Sequence, residues 1–170
     1  MDFNRIPAYR KESAVIVLHE QSSDCLILTR RSMNLRIQPG HVCFPGGLRE
    51  SKDENLYATA LRELEEELGI QPSRVTFVCE LEKDKTLFLA VVSPWLARIE
   101  SIEPYEMNKD EVSELIKIPL ERVINQKNYT ERKMKKDGFV FSTLVFTASE
   151  HFIWGVTARI MKQLSESDFL

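Results

Sequence analysis

"SAVIVLHE" (13–20) and "CLILTRR" (25–31) are apolar, β-branched runs separated by the polar "QSSD", a pattern that predicts two strands joined as a hairpin. The irregular basic loop "SMNLRIQPG" follows, and then a short strand "HVCF" that Pro45, Gly46 and Gly47 stop. A helix is predicted over 52–68: Ser51 stands as N-cap with Glu54 three residues on, the capping-box arrangement, and Gly69 closes it. Beyond it "RVTFVCEL" and "TLFLAVVSPWLARI" read as strands around the turn "EKDK", and "VSELIKIPL" as a strand ending at Pro119. "LERVINQ" reads as a short helix, "QKNYTERKMKKDG" (126–138) as a solvated basic loop, "FVFSTLVF" as a strand and "WGVTARIMKQLSE" as a closing amphipathic helix. Strands before, between and after two main helices predict one layered α/β (α+β) domain spanning 1–170, with a mixed β-sheet.

The predicted helix carries "RELEEELGI" at its end. At about 100° per residue, with Glu63 as origin, Glu67 falls at about 40° and Glu66 at about 300°, so three carboxylates share one face. Tyr57, Leu61, Leu64 and Leu68 form the stripe that packs on the sheet, and Glu65 points elsewhere. Like charges three and four apart repel by about 0.2–0.5 kcal/mol per pair, and no Lys occurs between Lys52 and Lys83 to relieve them. Arg62 is the one nearby cation and can orient a carboxylate without neutralising three. A hard divalent cation neutralises such a cluster, with the glycine turn bringing a backbone carbonyl close.

Composition narrows the partners. With 170 residues, 23 Lys+Arg against 26 Asp+Glu and a net charge of -3, the chain has no general attraction for nucleic acid or an anionic membrane. No apolar run approaches bilayer length, and the start "MDFNRIPAYRKE" is polar, so a cytoplasmic protein without membrane partners is expected. Cys25, Cys43 and Cys79 form no CxxC pair and read as buried reduced thiols. His19 and His151 read as structural or surface residues, and the "WGVTARIMKQL" segment as core.

Residues 47–70, "GLRESKDENLYATALRELEEELGI", resemble the Nudix box, G-x5-E-x7-R-E-U-x-E-E-x-G-U. Arg62, Glu63, Leu64, Glu66, Glu67, Gly69 and Ile70 match the second half. In the first half Asp53 has the pattern's distance from Gly47 and Glu54 its distance to Arg62, so either can be the early carboxylate. Upstream, "LTRRSMNLRIQPGHVCFPGG" resembles the motif of the coenzyme A diphosphatase branch, through Leu28, Thr29, Arg31, Ser32, Arg36, Gly40, Phe44, Pro45, Gly46 and Gly47; His41 departs from the Glu or Gln often found there. "EVSELIKIPL" resembles a further segment of those proteins and brings in Glu111.

The resemblance implies a Nudix fold, a mixed β-sheet between helices (α/β/α), and Mg²⁺- or Mn²⁺-dependent hydrolysis of coenzyme A or an acyl-CoA to 3',5'-ADP and 4'-phosphopantetheine or its acyl form. It implies Gly47, Glu63, Glu66 and Glu67 as metal ligands, Glu63 and Glu111 as candidate bases, and Arg62 as their orienting partner. Arg31, Ser32, Arg36 and Arg30 are the implied substrate contacts, the arginines because a guanidinium matches phosphate geometry. The alternatives are hydrolysis of ADP-ribose, a dinucleotide or a nucleoside triphosphate, or a nucleotide sensor that cleaves nothing. A monomer or homodimer is expected.

Overall fold

Alternation along the first strand divides the core in two. In the computed structural model, which describes residues 12–86, 90–136 and 138–166, Ala14, Ile16 and Leu18 enter one apolar cluster while Val15 and Val17 enter another. The strands are β1 (Glu12–Glu20), β2 (Cys25–Arg31), β3 (Val42–Cys43), β4 (Gly46–Leu48), β5 (Thr76–Glu80) and β6 (Asp84–Lys85). They continue with β7 (Val91–Ile99), β8 (Val112–Pro119), β9 (Tyr129–Lys136), β10 (Phe139–Phe146) and β11 (Ile153–Trp154). The helices are α1 (Leu56–Leu68), α2 (Leu120–Val123) and α3 (Val156–Ser165).

β1 and β2 pair only next to their turn, Leu18–Glu20 against Cys25–Ile27. Past that point β1 takes β4 as its neighbour and β2 takes β3, so the sheet splits. The far edge of β1 pairs in parallel with all of β7, which carries β5 and β6, and the far edge of β2 pairs with β8. This mixed eight-stranded sheet is accompanied by an antiparallel sheet in the order β11-β10-β9. Ala60, Leu64 and Leu68 of α1 pack on Ala14, Ile16, Leu18 and Ile27, and each fully buried leucine contributes about 2 kcal/mol. Ala158, Ile160, Met161 and Leu164 of α3 cover the opposite face with Val17, Leu26 and Leu28. The layering is thus helix, sheet, helix, as the Nudix resemblance implies.

Several local expectations are corrected. The helix begins at Leu56, not residue 52, and its cap is Asn55, whose side chain accepts the Ala58 N–H at 2.9 Å. Ser51 and Glu54 match the capping-box spacing, but Asp53 ties the preceding loop by accepting the Glu50 N–H at 2.8 Å, which keeps 51–54 out of the helix. Gly69 does close the helix, at φ 64°, donating to the Glu65 carbonyl at 2.8 Å. The "EKDK" turn contains β6, and much of the basic stretch 126–138 is the strand β9, held register by register against β10. Residues 87–89 of "TLFLAVVSPWLARI", the polar start 1–11 and the end 167–170 lie outside the described residues. All three cysteines are free thiols, Cys25 buried and Cys43 and Cys79 half-buried. No helix among the described residues is long and apolar enough to cross a membrane.

Candidate functional site

The buried stripe of α1 fixes how the helix is rolled. With Ala60, Leu64 and Leu68 wholly enclosed, Glu67 is carried into the protein at 4% exposure and Glu63 is half-buried one turn before it. Glu111, just ahead of β8, completes a group of three whose carboxylate oxygens lie within 4.8 Å of one another. Gly47 makes room for it: a Cβ there would stand 2.3 Å from the Glu63 Oε1 and 2.7 Å from its Oε2. Gly46, at φ 157°, is pressed as closely onto β1, where a Cβ would meet the Ala14 carbonyl at 2.3 Å. Gly47→Ala is therefore expected to leave the melting temperature within a few degrees, since only a side-chain terminus must move, yet to lower hydrolysis at least about tenfold by displacing Glu63; thermal melts with steady-state rates check this.

Burial, with the Glu63 charge second, pushes the Glu67 carboxyl up to about 8, against the pull of the Gly46 N–H and Arg31. Glu63 is also raised by burial, with Arg62 opposing. The Oε2 of Glu67 is buried and has no hydrogen-bond partner. Three converging hard oxygen donors, one of them orphaned, fit a divalent cation such as Mg²⁺ or Mn²⁺. Burial and the Glu67 charge push the neighbouring Cys43 thiol up to about 11, so it stays protonated and is no nucleophile near neutrality.

Arg62 organises the acidic side chains. Its Nε and Nη2 donate to Asp53 at 3.0 and 3.2 Å, its Nη1 to Glu63 at 2.9 Å and Glu66 at 2.8 Å, and its Nη2 also to the Leu48 carbonyl at 3.0 Å. Asp53, buried and further bonded by the Thr59 hydroxyl, is held well below the usual carboxylate range, chiefly by Arg62. Of the two early acids, Asp53 is the one paired with Arg62, and Glu54 is exposed. Glu66 differs from its expected grouping: with its side chain 44% exposed it rests on Arg62 and is not among the three converging carboxylates. Glu65 is exposed and accepts from Gln71.

The four expected substrate contacts are divided by the structure. Arg31 lies near Glu67, where its charge is felt, and braces the loop 32–40 by donating to the Ile37 carbonyl at 3.3 Å. Arg36 is exposed on that loop. Ser32 is buried, its Oγ accepting the Asn34 N–H and its own N–H donating to the Glu111 carbonyl at 2.7 Å, so it fastens the loop to the carboxylate group. Arg30 points to the opposite face of β2, onto Glu114 and His151. One contributor had no motif to reveal it. Asn108 donates through its backbone N–H to the Glu67 carbonyl and through its amide to the Glu111 carboxylate at 3.3 Å. His151, read as structural or surface, is half-buried and bonds Arg30 at 2.8 Å on that opposite face, across 121 positions of sequence.

This helix, glycine strand and carboxylate group coincide with a match to the NUDIX domain over residues 9–137. The chain belongs to the Nudix family. A relative from Shigella flexneri serotype 5b, the uncharacterized Nudix hydrolase NudL, is 32% identical over 163 residues, covering 95% of this chain and 85% of its own. The crystal structure of DR0079 from Deinococcus radiodurans is similar at a TM-score of 0.61 with 16% identity, over 96% of this chain and 90% of that one. The NUDIX domain of Shewanella oneidensis NrtR, solved with ADP ribose, is similar at 0.53 with 22% identity, over 71% and 82%.

Proposed function

We propose that the protein hydrolyses the pyrophosphate of coenzyme A or an acyl-CoA, giving 3',5'-ADP and 4'-phosphopantetheine or its acyl form. The observation that carries this reading is the fastening of the loop 32–41 to the carboxylate group, through the Ser32 N–H on the Glu111 carbonyl. That loop holds the residues that resemble the coenzyme A motif, and its base carries Arg31 beside Glu67.

Glu63, Glu67 and Glu111, joined by the Gly47 carbonyl, would hold the Mg²⁺ or Mn²⁺ that Nudix hydrolases use, with Glu66 at the rim. When bound, such an ion neutralises charge on phosphoryl oxygens and acidifies water. The oxygen of water forms a bond to phosphorus as the bridging P–O bond breaks, and the two phosphates separate. The proton of the water goes to Glu63 or Glu111, the half-buried members of the group, which solvent can relieve of it. Arg62 keeps Glu63 in place, and Arg31 and Arg36 bind phosphate oxygens through their guanidinium groups.

Incubation with coenzyme A and MgCl2 or MnCl2 is expected to release 3',5'-ADP, followed by chromatography. ADP-ribose, the ligand of the NrtR domain, belongs in the same experiment. Turnover of ADP-ribose or a nucleoside triphosphate with coenzyme A untouched sinks the substrate assignment and keeps the hydrolase; binding of coenzyme A without any product makes the protein a sensor.

A further inference from the structure

The hairpin of β9 and β10 leaves the body of the protein as it approaches its turn. At its base Val145 and Phe146 are enclosed and Thr143 is buried, whereas beside the turn Phe139 is 77% and Val140 66% exposed. Phe139 pairs with Lys136 and Gly138 takes φ 86°, so the turn between the strands is tight. Positions this open to water beside a turn ordinarily carry polar residues. Exposed apolar residues scattered singly are common, but two large ones in succession at a projecting tip mark a contact surface.

Cations stand directly behind this tip. Lys135 lies opposite Val140 and Lys133 opposite Ser142 on one face of the hairpin, while Arg132, opposite Thr143, lies on the other, and all three are exposed. Residues 129–146 carry four Lys and Arg against Glu131 and Asp137, in a chain whose net charge is -3. The hairpin is therefore a positive arm on a negative body, and an anionic surface draws it in tip first while repelling the remainder.

The choice of partner follows from both parts of the arm. β9 is an edge strand, and lysines there guard against pairing with a second copy, which would set cation against cation across the strands. That guard leaves Phe139 and Val140 unexplained. A nucleic acid or an acidic protein segment takes up the charge without requiring an aliphatic side chain next to an aromatic one. An anionic bilayer uses everything present: headgroup phosphates meet the cations, the apolar tip enters the boundary beneath them, and the lysine stems lie along it.

We propose that the hairpin of β9 and β10 docks the protein on an anionic lipid bilayer, inserting Phe139 and Val140 and setting Arg132, Lys133 and Lys135 against the headgroup phosphates. This docking is independent of which pyrophosphate the carboxylate group hydrolyses.

The test is co-sedimentation of the full chain with vesicles of phosphatidylcholine, alone or with about 30% phosphatidylglycerol. Binding to the anionic vesicles is expected to be at least about tenfold tighter than to the neutral ones, and to weaken as salt is raised. Lys133→Glu with Lys135→Glu is expected to weaken it at least about tenfold, as is Phe139→Ser with Val140→Ser. All four positions are exposed, so thermal melts should place both variants within a few degrees of the wild type. Phe139→Trp keeps an aromatic tip and reports its depth: on anionic vesicles its emission should shift to the blue and be quenched by brominated lipid beyond the wild-type change. No sedimentation with anionic vesicles overturns the proposal. So does full binding by the serine variant, or an unshifted emission from Phe139→Trp, since the cations then act alone. Heparin or polyglutamate bound as tightly as the vesicles, with the serine substitutions again without effect, assigns the arm to a soluble polyanion and overturns it as well.

Discussion

Replacing Glu67 with Gln is expected to stabilise the metal-free protein at pH 8 and to lower hydrolysis at least about a hundredfold. The stability effect follows from the raised carboxyl. Glu67 titrates at about 8 in the folded chain, above the ordinary range, so the folded state holds this proton more tightly than the unfolded state does. Its contribution is fully present below the unfolded value and is lost as pH rises through about 8. At about 1.4 kcal/mol for each unit of difference, ionising Glu67 costs the metal-free fold on the order of a few kcal/mol. Gln keeps the shape and lacks the titration. Melts in EDTA at pH 6 and pH 8.5 should therefore show the wild type losing more stability over that interval than the variant, with Glu63 supplying a residual slope in both. Mn²⁺ should raise the wild-type melting temperature more at the higher pH, because its ligands must be deprotonated, and should raise that of the variant much less. Equal slopes in the two proteins would remove Glu67 from this role.

Asp53→Asn is expected to cost about 1.5–3 kcal/mol at neutral pH, because it removes the most buried of the three carboxylates paired with Arg62 and leaves Glu63 and Glu66 to hold it. The side chains are 4% and 13% exposed and share two hydrogen bonds, so solvent cannot take over the partnership. Asp53 is depressed, the opposite case from Glu67: its stabilisation is present above the ordinary carboxylate value and is lost as pH falls through its lower folded one. The penalty of the substitution should accordingly shrink in strong acid. Activity should fall with stability, since Arg62 also holds Glu63. Glu54→Gln is the control, with stability within about 0.5 kcal/mol of wild type, because Glu54 is exposed. Urea titrations of both variants at pH 7 and pH 3 distinguish the two early acids directly.

Much of this site was legible because it is local. The apolar stripe of α1 and the Gly69 stop follow from periodicity and backbone freedom, and both stand in the structure. Spacing alone left Glu66 and Glu67 on one face; it is the depth at which Leu64 and Leu68 seat the helix that buries the second and leaves the first outside. The capping-box pattern at Ser51 and Glu54 misled because a competing carboxylate, Asp53, was already bound to Arg62, a pairing nine positions apart. β9 was hidden for another reason: "YTERKMKK" has little apolar alternation, and its conformation is imposed by pairing with β10. Arg30 with Glu114 and His151 spans 84 and 121 positions, and nothing in a linear pattern encodes such distances.

The parallel pairing of β1 with β7 also sets an order of assembly. Residues 12–20 find their partner only at 91–99, so the middle of the sheet closes a loop longer than seventy residues, an entropically slow step. α1 is different: its leucines pack on Ala14, Ile16, Leu18 and Ile27, all earlier in the chain, so its docking surface is made before the helix is and β7 only completes it.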